Sequence, residues 1–297
     1  MSASQNDCLM SNEEVLRTRR REKMSAIIRY TLLTAVGIFM LYPLIWLVGA
    51  SFKTNTEIYT EIGFIPHQIS FGSYAKGWKT GTEYTFATYF LNSAKIIVPK
   101  IIVTIISCVL TAYGFARFNF KGKRYLFAIL IVSMMLPQIV LRVPQYLMFK
   151  WIDWIDTYLP LIIPSAFAYD AFFVFLLVQF LRGIPQDMEE AAIIDGCSPL
   201  QLLRHIIVPL LKPAIISCVV FQFIWTMNDF MGPLIYLASV EKYPVSLALR
   251  MSIGANEEVE WAAVIAISVV ALLPSLIVFF LAQKHFVQGV STSGIKG

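Results

Sequence analysis

WAAVIAISVVALLPSLIVFFLA, residues 261–282, runs for 22 residues without one charged side chain. As an α-helix it would extend about 33 Å, matching the roughly 30 Å of bilayer hydrocarbon. Comparable apolar runs occur at 27–50, 96–116, 125–149, 159–181 and 208–237, so six spans are expected. None of them alternates over its length, as the short strands of a closed membrane barrel do. The expected fold is all-α, a polytopic membrane helical bundle with six transmembrane helices. Composition agrees: 57% of the 297 residues are hydrophobic and 14% charged, against about 25% charged in a soluble domain. Mean hydropathy is +0.67.

Charge then sets orientation. Arg17, Arg19, Arg20, Arg21, Lys23 and Arg29 precede or open the first run, which lacks a small-residue cleavage site and reads as a retained span. The loop with Arg117, Lys121, Lys123 and Arg124 falls on the same side, as does the stretch with Arg182 and Arg204. The opposite side carries Glu57, Glu61, Glu83, Asp153 and Glu257, with fewer bases. The positive-inside rule therefore predicts cytoplasmic tails at 1–24 and 284–297, flanking a membrane domain over 25–283. The net charge of +5 is an orientation signal and not a nucleic-acid footprint.

Residue chemistry argues against an enzyme. Cys8, Cys108, Cys197 and Cys218 lie in the tail, in spans or in a cytoplasmic loop, with no disulfide or zinc pattern. His67, His205 and His285 fall in different compartments, so they form neither a metal site nor a catalytic constellation. No catalytic residue and no metal ligand is expected. A membrane-embedded enzyme would need a reactive cluster at one depth, and a secondary transporter would show matched inverted repeats or broken spans. Both remain as weaker alternatives.

The richest polar stretch is the loop between spans four and five, residues 182–207, within RGIPQDMEEAAIIDGCSPLQLLRHIIVP. It parses as two short helices. Asp187, Glu189 and Glu190 place negative charge in a first turn, Gly196 permits the left-handed conformation that ends a helix, and Ser198 with Pro199 starts a second. Pro209 is expected to end the segment and Pro213 to begin the next span. Ala191 and Ala192 are small enough to seat a helix in a groove of another protein, with Met188 and Ile194 as apolar anchors. A helical hairpin lying on the membrane surface is the alternative.

Ionisable groups within spans are costly and mark a pathway or a structural pair. Lys95 and Lys100, in the outer part of a span starting at residue 96, are expected to snorkel to the outer interface. Arg142, between Pro137 and Pro144, suggests a broken third span; the side chain either lines a path or snorkels outward. Asp170, Asn228 and Asp229 sit among Tyr169, Phe172, Trp225 and Phe230. They are candidates for a substrate path, or for hydrogen bonds between spans.

Glu190-Ala191-Ala192, three residues, Gly196, nine residues, then Ile206 and Val208-Pro209 is similar to the EAA motif of permease subunits of bacterial ABC importers. Val208 stands where that family usually has leucine. Further stretches resemble the carbohydrate-uptake, maltose-type permeases, most closely their shorter six-span subunit: YPLIWLVGASFK at 42–53, AYGFARFNFKGK at 112–123, MMLPQIVLRVPQY at 134–146 and NDFMGPLIYL at 228–237. The resemblance implies that 187–207 forms the coupling helices, with Glu190, Ala191, Ala192, Gly196, Ile206 and Pro209 as ATPase-coupling residues. It also implies that the ending GVSTSGIKG, with Gly294, Lys296 and Gly297, reaches the ATPase interface. No Walker motif occurs, so this chain binds no cofactor of its own, and ATP and magnesium would sit on partner ATPase subunits. The implied partners are a second permease, an ATPase dimer, an extracytoplasmic solute-binding protein, membrane lipid and a carbohydrate substrate. The implied location is the bacterial inner membrane, with both termini cytoplasmic. In the maltose system the sugar site lies chiefly on the longer permease; a polyol-like or glycerol-phosphate cargo is the alternative.

Overall fold

The computed structural model describes residues 12–61, 63–79, 83–253 and 259–293. Gly294, Lys296 and Gly297 of the expected ATPase-contacting tail lie outside the described residues, as does Glu257. The described chain is helical, with no strand among the described residues.

Helix α1, Asn12–Ala50, opens the structure. Its apolar stretch is largely uncovered, with Phe39 80% and Met40 71% exposed, and only its last turns pack inward, down to the buried Ala50. Two short helices follow. α2, Asn55–Thr60, is started by a reciprocal capping box between Thr54 and Glu57, which satisfies otherwise orphaned amides. α3, Gly72–Lys79, lies against the last helix, α15 (Trp261–Ser293). They approach closely because Gly77 has no side chain: a Cβ there would sit 2.7 Å from the Ala263 carbonyl oxygen.

The centre of the molecule is α4, Phe86–Arg117. It starts ten residues before the expected boundary at 96, because Phe86 and Tyr89 are buried and the polar Asn92 and Ser93 are satisfied by another loop. Next come α5, Lys123–Ser133, and α6, Gln138–Trp151, whose axes meet at 102°. The break at residues 134–137 ends on Pro137, which fixes its own φ and cannot donate to a continuing helix. The third span is therefore broken, as the two prolines suggested.

The fourth span comprises α7, Leu159–Ile162, a 3-10 turn at Ile163–Phe167, and α8, Ala171–Arg182. The segment between spans four and five is α9, Asp187–Ile194, then α10, Pro199–Leu202, a π turn at Leu203–Ile207, and α11, Val208–Leu210. Pro209 does not end this segment on its own; it sits in the closing turn, where its missing amide hydrogen is not needed. The chain then turns by 75° into α12, Lys212–Asn228. The fifth span thus closes at Asn228 and not at residue 237. Beyond the break, α13, Met231–Tyr236, and α14, Val245–Met251, are separate short helices.

One core joins α4, α8, α9, α10 and α12. Phe173, Val174, Leu177, Val178 and Leu181 of α8 are wholly buried against Cys108 and Ala112 of α4 and Ala214 and Cys218 of α12. In lipid there is little hydrophobic drive between helices, so fit and hydrogen bonds carry the association. Small residues at the contact and the bond from Ser107 Oγ to the Ser165 carbonyl, 2.8 Å, supply both.

Candidate functional site

The break in span three and the break after span five face each other, and a cavity of about 490 Å³ opens between them. Arg142, Asp170, Asn228 and Asp229 all line it, together with Lys100, Gln222 and the rings of Tyr169 and Trp225. Arg142 and Asp229 meet: Nη2 lies 3.6 Å from Oδ1, with 19% and 22% of the two side chains exposed. Asp229 Oδ1 also accepts the Gly232 amide at 3.0 Å, and its carbonyl accepts Ser246 Oγ at 2.8 Å. Gly232 leaves room for both charged groups. A Cβ would stand 2.4 Å from Asp229 Oδ2 and 2.9 Å from Arg142 Nη1.

Lys100 corrects the expectation drawn from sequence. Measured from the true start of α4 at Phe86, it lies near mid-helix, about 20 Å from the outer end. That depth is too great for snorkelling, and the ammonium instead shares the cavity, where Asp170 and Asp229 attract it and Arg142 opposes them. Lys95, one turn and more outward, is exposed and reaches Asn92 Oδ1 at 3.5 Å.

Among the described residues, two buried acceptors in the cavity lining lack a donor: Asp170 Oδ2 and Gln222 Oε1. Gln222 is only 2% exposed, and its amide nitrogen is already committed to Thr226 Oγ1 at 3.1 Å. Asp170 occupies the position before α8 without capping it. On another wall, Gln145 donates to Tyr169 Oη at 3.1 Å and accepts from Tyr236 Oη at 3.3 Å, holding both phenols in place. Trp225 stacks on Phe173 with centroids 5.0 Å apart and leaves 45% of its surface open. Gln222, Gln145 and Lys100 were missed by sequence reasoning. Glutamine in an apolar run was the available signal for the first.

The loop at the cavity's outer rim is tied by Asp156. Its carboxylate accepts the Ala238 and Ser239 amides, Ser239 Oγ at 2.6 Å and Lys242 Nζ at 2.8 Å. Partial burial pushes the carboxyl's pKa up, but the bonds from Lys242, Ser239 and the two amides outweigh it and hold the group well below the usual carboxylate range.

At the other end, α9 and α10 carry the EAA-like pattern. Gly196 takes φ +85°, ending α9 in the left-handed conformation. Ser198 and Gln201 make a reciprocal capping box that starts α10. The two alanines face different ways. Ala191 is exposed, whereas Ala192 is buried in the chain's own core, so only the first is available to a partner. Glu190 is exposed, Ile206 is half-buried, and the apolar side chains of Met188, Ile193, Ile194 and Leu200 are uncovered, Ile194 being 86% exposed. The neighbouring Glu189 is buried and paired with Arg117, which is therefore the last residue of α4 and not a free loop charge.

Residues 104–292 match the family described as the binding-protein-dependent transport system inner membrane component. The chain belongs to that family. It is a family of transport components. A probable ABC transporter permease protein of Pyrococcus horikoshii is 31% identical over 257 residues, covering 86% of this chain and 92% of that one. The arabinooligosaccharides transport system permease protein AraQ of Bacillus subtilis is 29% identical over 267 residues, covering 88% and 92%. Among solved structures, a bacterial ABC transporter involved in the import of the acidic polysaccharide alginate superposes with a TM-score of 0.77 at 25% identity. That match covers 90% of this permease and 98% of the other chain.

Proposed function

We propose that this permease forms, with a second permease, the transmembrane path for a neutral carbohydrate in a binding-protein-dependent ABC importer. The single observation that carries the substrate class is the cavity's charge balance. Lys100 and Arg142 are matched by Asp170 and Asp229, leaving no surplus cation for an acidic solute. Two donorless acceptors suit hydroxyl hydrogens, and the open faces of Trp225 and Tyr169 suit the C–H faces of a sugar ring. The permeases of arabinooligosaccharide systems and of the alginate importer support carbohydrate cargo in general; the balanced charge favours the neutral kind.

In this reading ATP and magnesium are bound by separate ATPase subunits seated on α9 and α10, at Glu190, Ala191, Gly196 and the apolar face around them. A solute-binding protein docks on the opposite side, and both termini are cytoplasmic, in a bacterial inner membrane. ATPase closure drives alternating access at the interface with the partner permease. Affinity purification from the native membrane in gentle detergent tests the assembly. The expected result is a second permease, an ATPase and a solute-binding protein that retains a neutral sugar. A homo-oligomer without an ATPase would overturn the reading, and a binding protein selective for uronates or phosphate esters would overturn the substrate class.

A further inference from the structure

Arg117 closes α4 and reaches sideways to the docking helix. Its Nε donates to Glu189 Oε1, and its Nη2 donates to the Ile184 carbonyl at 3.0 Å, just before α9. The side chains of Arg117 and Glu189 are 8% and 9% exposed, so the contact is shielded from water and ions that would otherwise screen it. A guanidinium bonded at two points fixes orientation as well as distance, which a point contact would not.

The covalent route from α9 to span five is softer. It passes the left-handed turn at Gly196, the π turn at Leu203–Ile207 and the 75° bend at Leu211. By contrast, the part of α4 between Arg117 and Lys100 is continuous helix without a proline, about 25 Å long. Pro99, where the backbone loses a helical hydrogen bond, comes immediately beyond Lys100. The stiff segment thus begins at the docking helix and ends in the cavity.

We infer that Arg117 and Glu189 are positioning residues that convert movement of α9 into movement of Lys100, with the inner half of α4 as the lever. Span four and α12 follow α4 through their shared core, and the covalent bend at Leu211 absorbs the angle that remains. The inference rests on the ATPase docking reading above.

The test uses the whole importer in lipid nanodiscs, with nitroxides at Leu110 on α4 and Leu281 on α15, both exposed in this chain. ATP bound to a hydrolysis-blocked ATPase is the only probe. The wild-type interspin distance is expected to shift on ATP binding, and Arg117→Ala is expected to lose that shift while the ATPase still copurifies. Arg117→Met with Glu189→Leu replaces the pair by packed apolar groups, guards against simple misfolding, and is expected to lose the shift at an unchanged thermal midpoint. Arg117→Lys restores part of it. An unchanged shift in either uncharged variant, or no shift in the wild type, overturns the lever. Failure of any ATPase to copurify with the wild type overturns the docking reading instead.

Discussion

Arg142, in the second half of the broken third span, and Asp229, just past the end of span five, form a 3.6 Å ion pair across the cavity. Together with the bond from Tyr236 Oη to Gln145 Oε1, it ties α6 to the chain beyond α12. Because about a fifth of each side chain remains exposed, the pair is close enough to hold and open enough to exchange with a ligand.

Removing one partner should hurt more than removing both. Asp229→Ala leaves a largely buried guanidinium without its carboxylate partner and is expected to abolish uptake and lower the thermal midpoint in detergent. Arg142→Met with Asp229→Leu should recover the midpoint, since apolar replacement of a poorly solvated pair is near neutral, without recovering transport. A double variant as unstable as the single one would show that the pair is not the contact that matters.

Gly232→Ala is expected to mimic loss of that pair although it changes no charge. The added methyl would stand 2.4 Å from Asp229 Oδ2 and 2.9 Å from Arg142 Nη1, so the two charged groups must shift against each other. Gly114→Ala, on α4 with nothing within 4 Å of the new Cβ, is the matched control. Uptake in membrane vesicles separates them: the first should lose transport and the second keep it.

The clasp at Asp156 should depend on pH in one direction. Its folded pKa is depressed, so its contribution is fully present above the ordinary aspartate value near 4 and fades as pH falls toward the lowered folded value. Protection of the 238–242 loop from hydrogen exchange should therefore be unchanged between pH 7 and about 5. Asp156→Asn should lose that protection at both pH values. Loss of protection in the wild type by pH 5 would rule out this assignment.

Gly196→Ala tests the docking turn. Nothing lies within 4 Å of the added Cβ, so the penalty is purely the left-handed backbone, about 1–2 kcal/mol. That is enough to reset the angle between α9 and α10 while leaving insertion intact. Copurification of the ATPase should weaken, and Gly196→Asn, better tolerated at positive φ, should weaken it less. Equal binding by both variants would show that the angle is not set here.

The patterns that physics repeats locally were legible in the sequence. Runs long enough for a bilayer gave the bundle and six spans; Pro137 announced the break in span three; Gly196, Ser198 and Pro199 announced two short helices with a sharp turn between them. Boundaries read less well. Phe86–Lys95 is part of α4, yet its polar Asn92, Ser93 and Lys95 kept it out of the apolar run, because the partners that satisfy Asn92 and Ser93 lie some 150 residues away. That ten-residue error displaced Lys100 from mid-helix to the interface and hid it from the candidate site.

What the sequence determined alone is everything that depends on near neighbours: helix, cap, turn, bilayer length, and the residue types available to a polar path. Only the tertiary structure decided which of those residues meet. Arg142, Asp170, Asn228 and Asp229 share a cavity, Glu189 turns inward to Arg117 while Glu190 turns outward, and Ala192 packs inside while Ala191 faces away. The physical reason is periodicity: one residue along a helix rotates a side chain by about 100°, and which direction counts as inward is set by the helices packed around it.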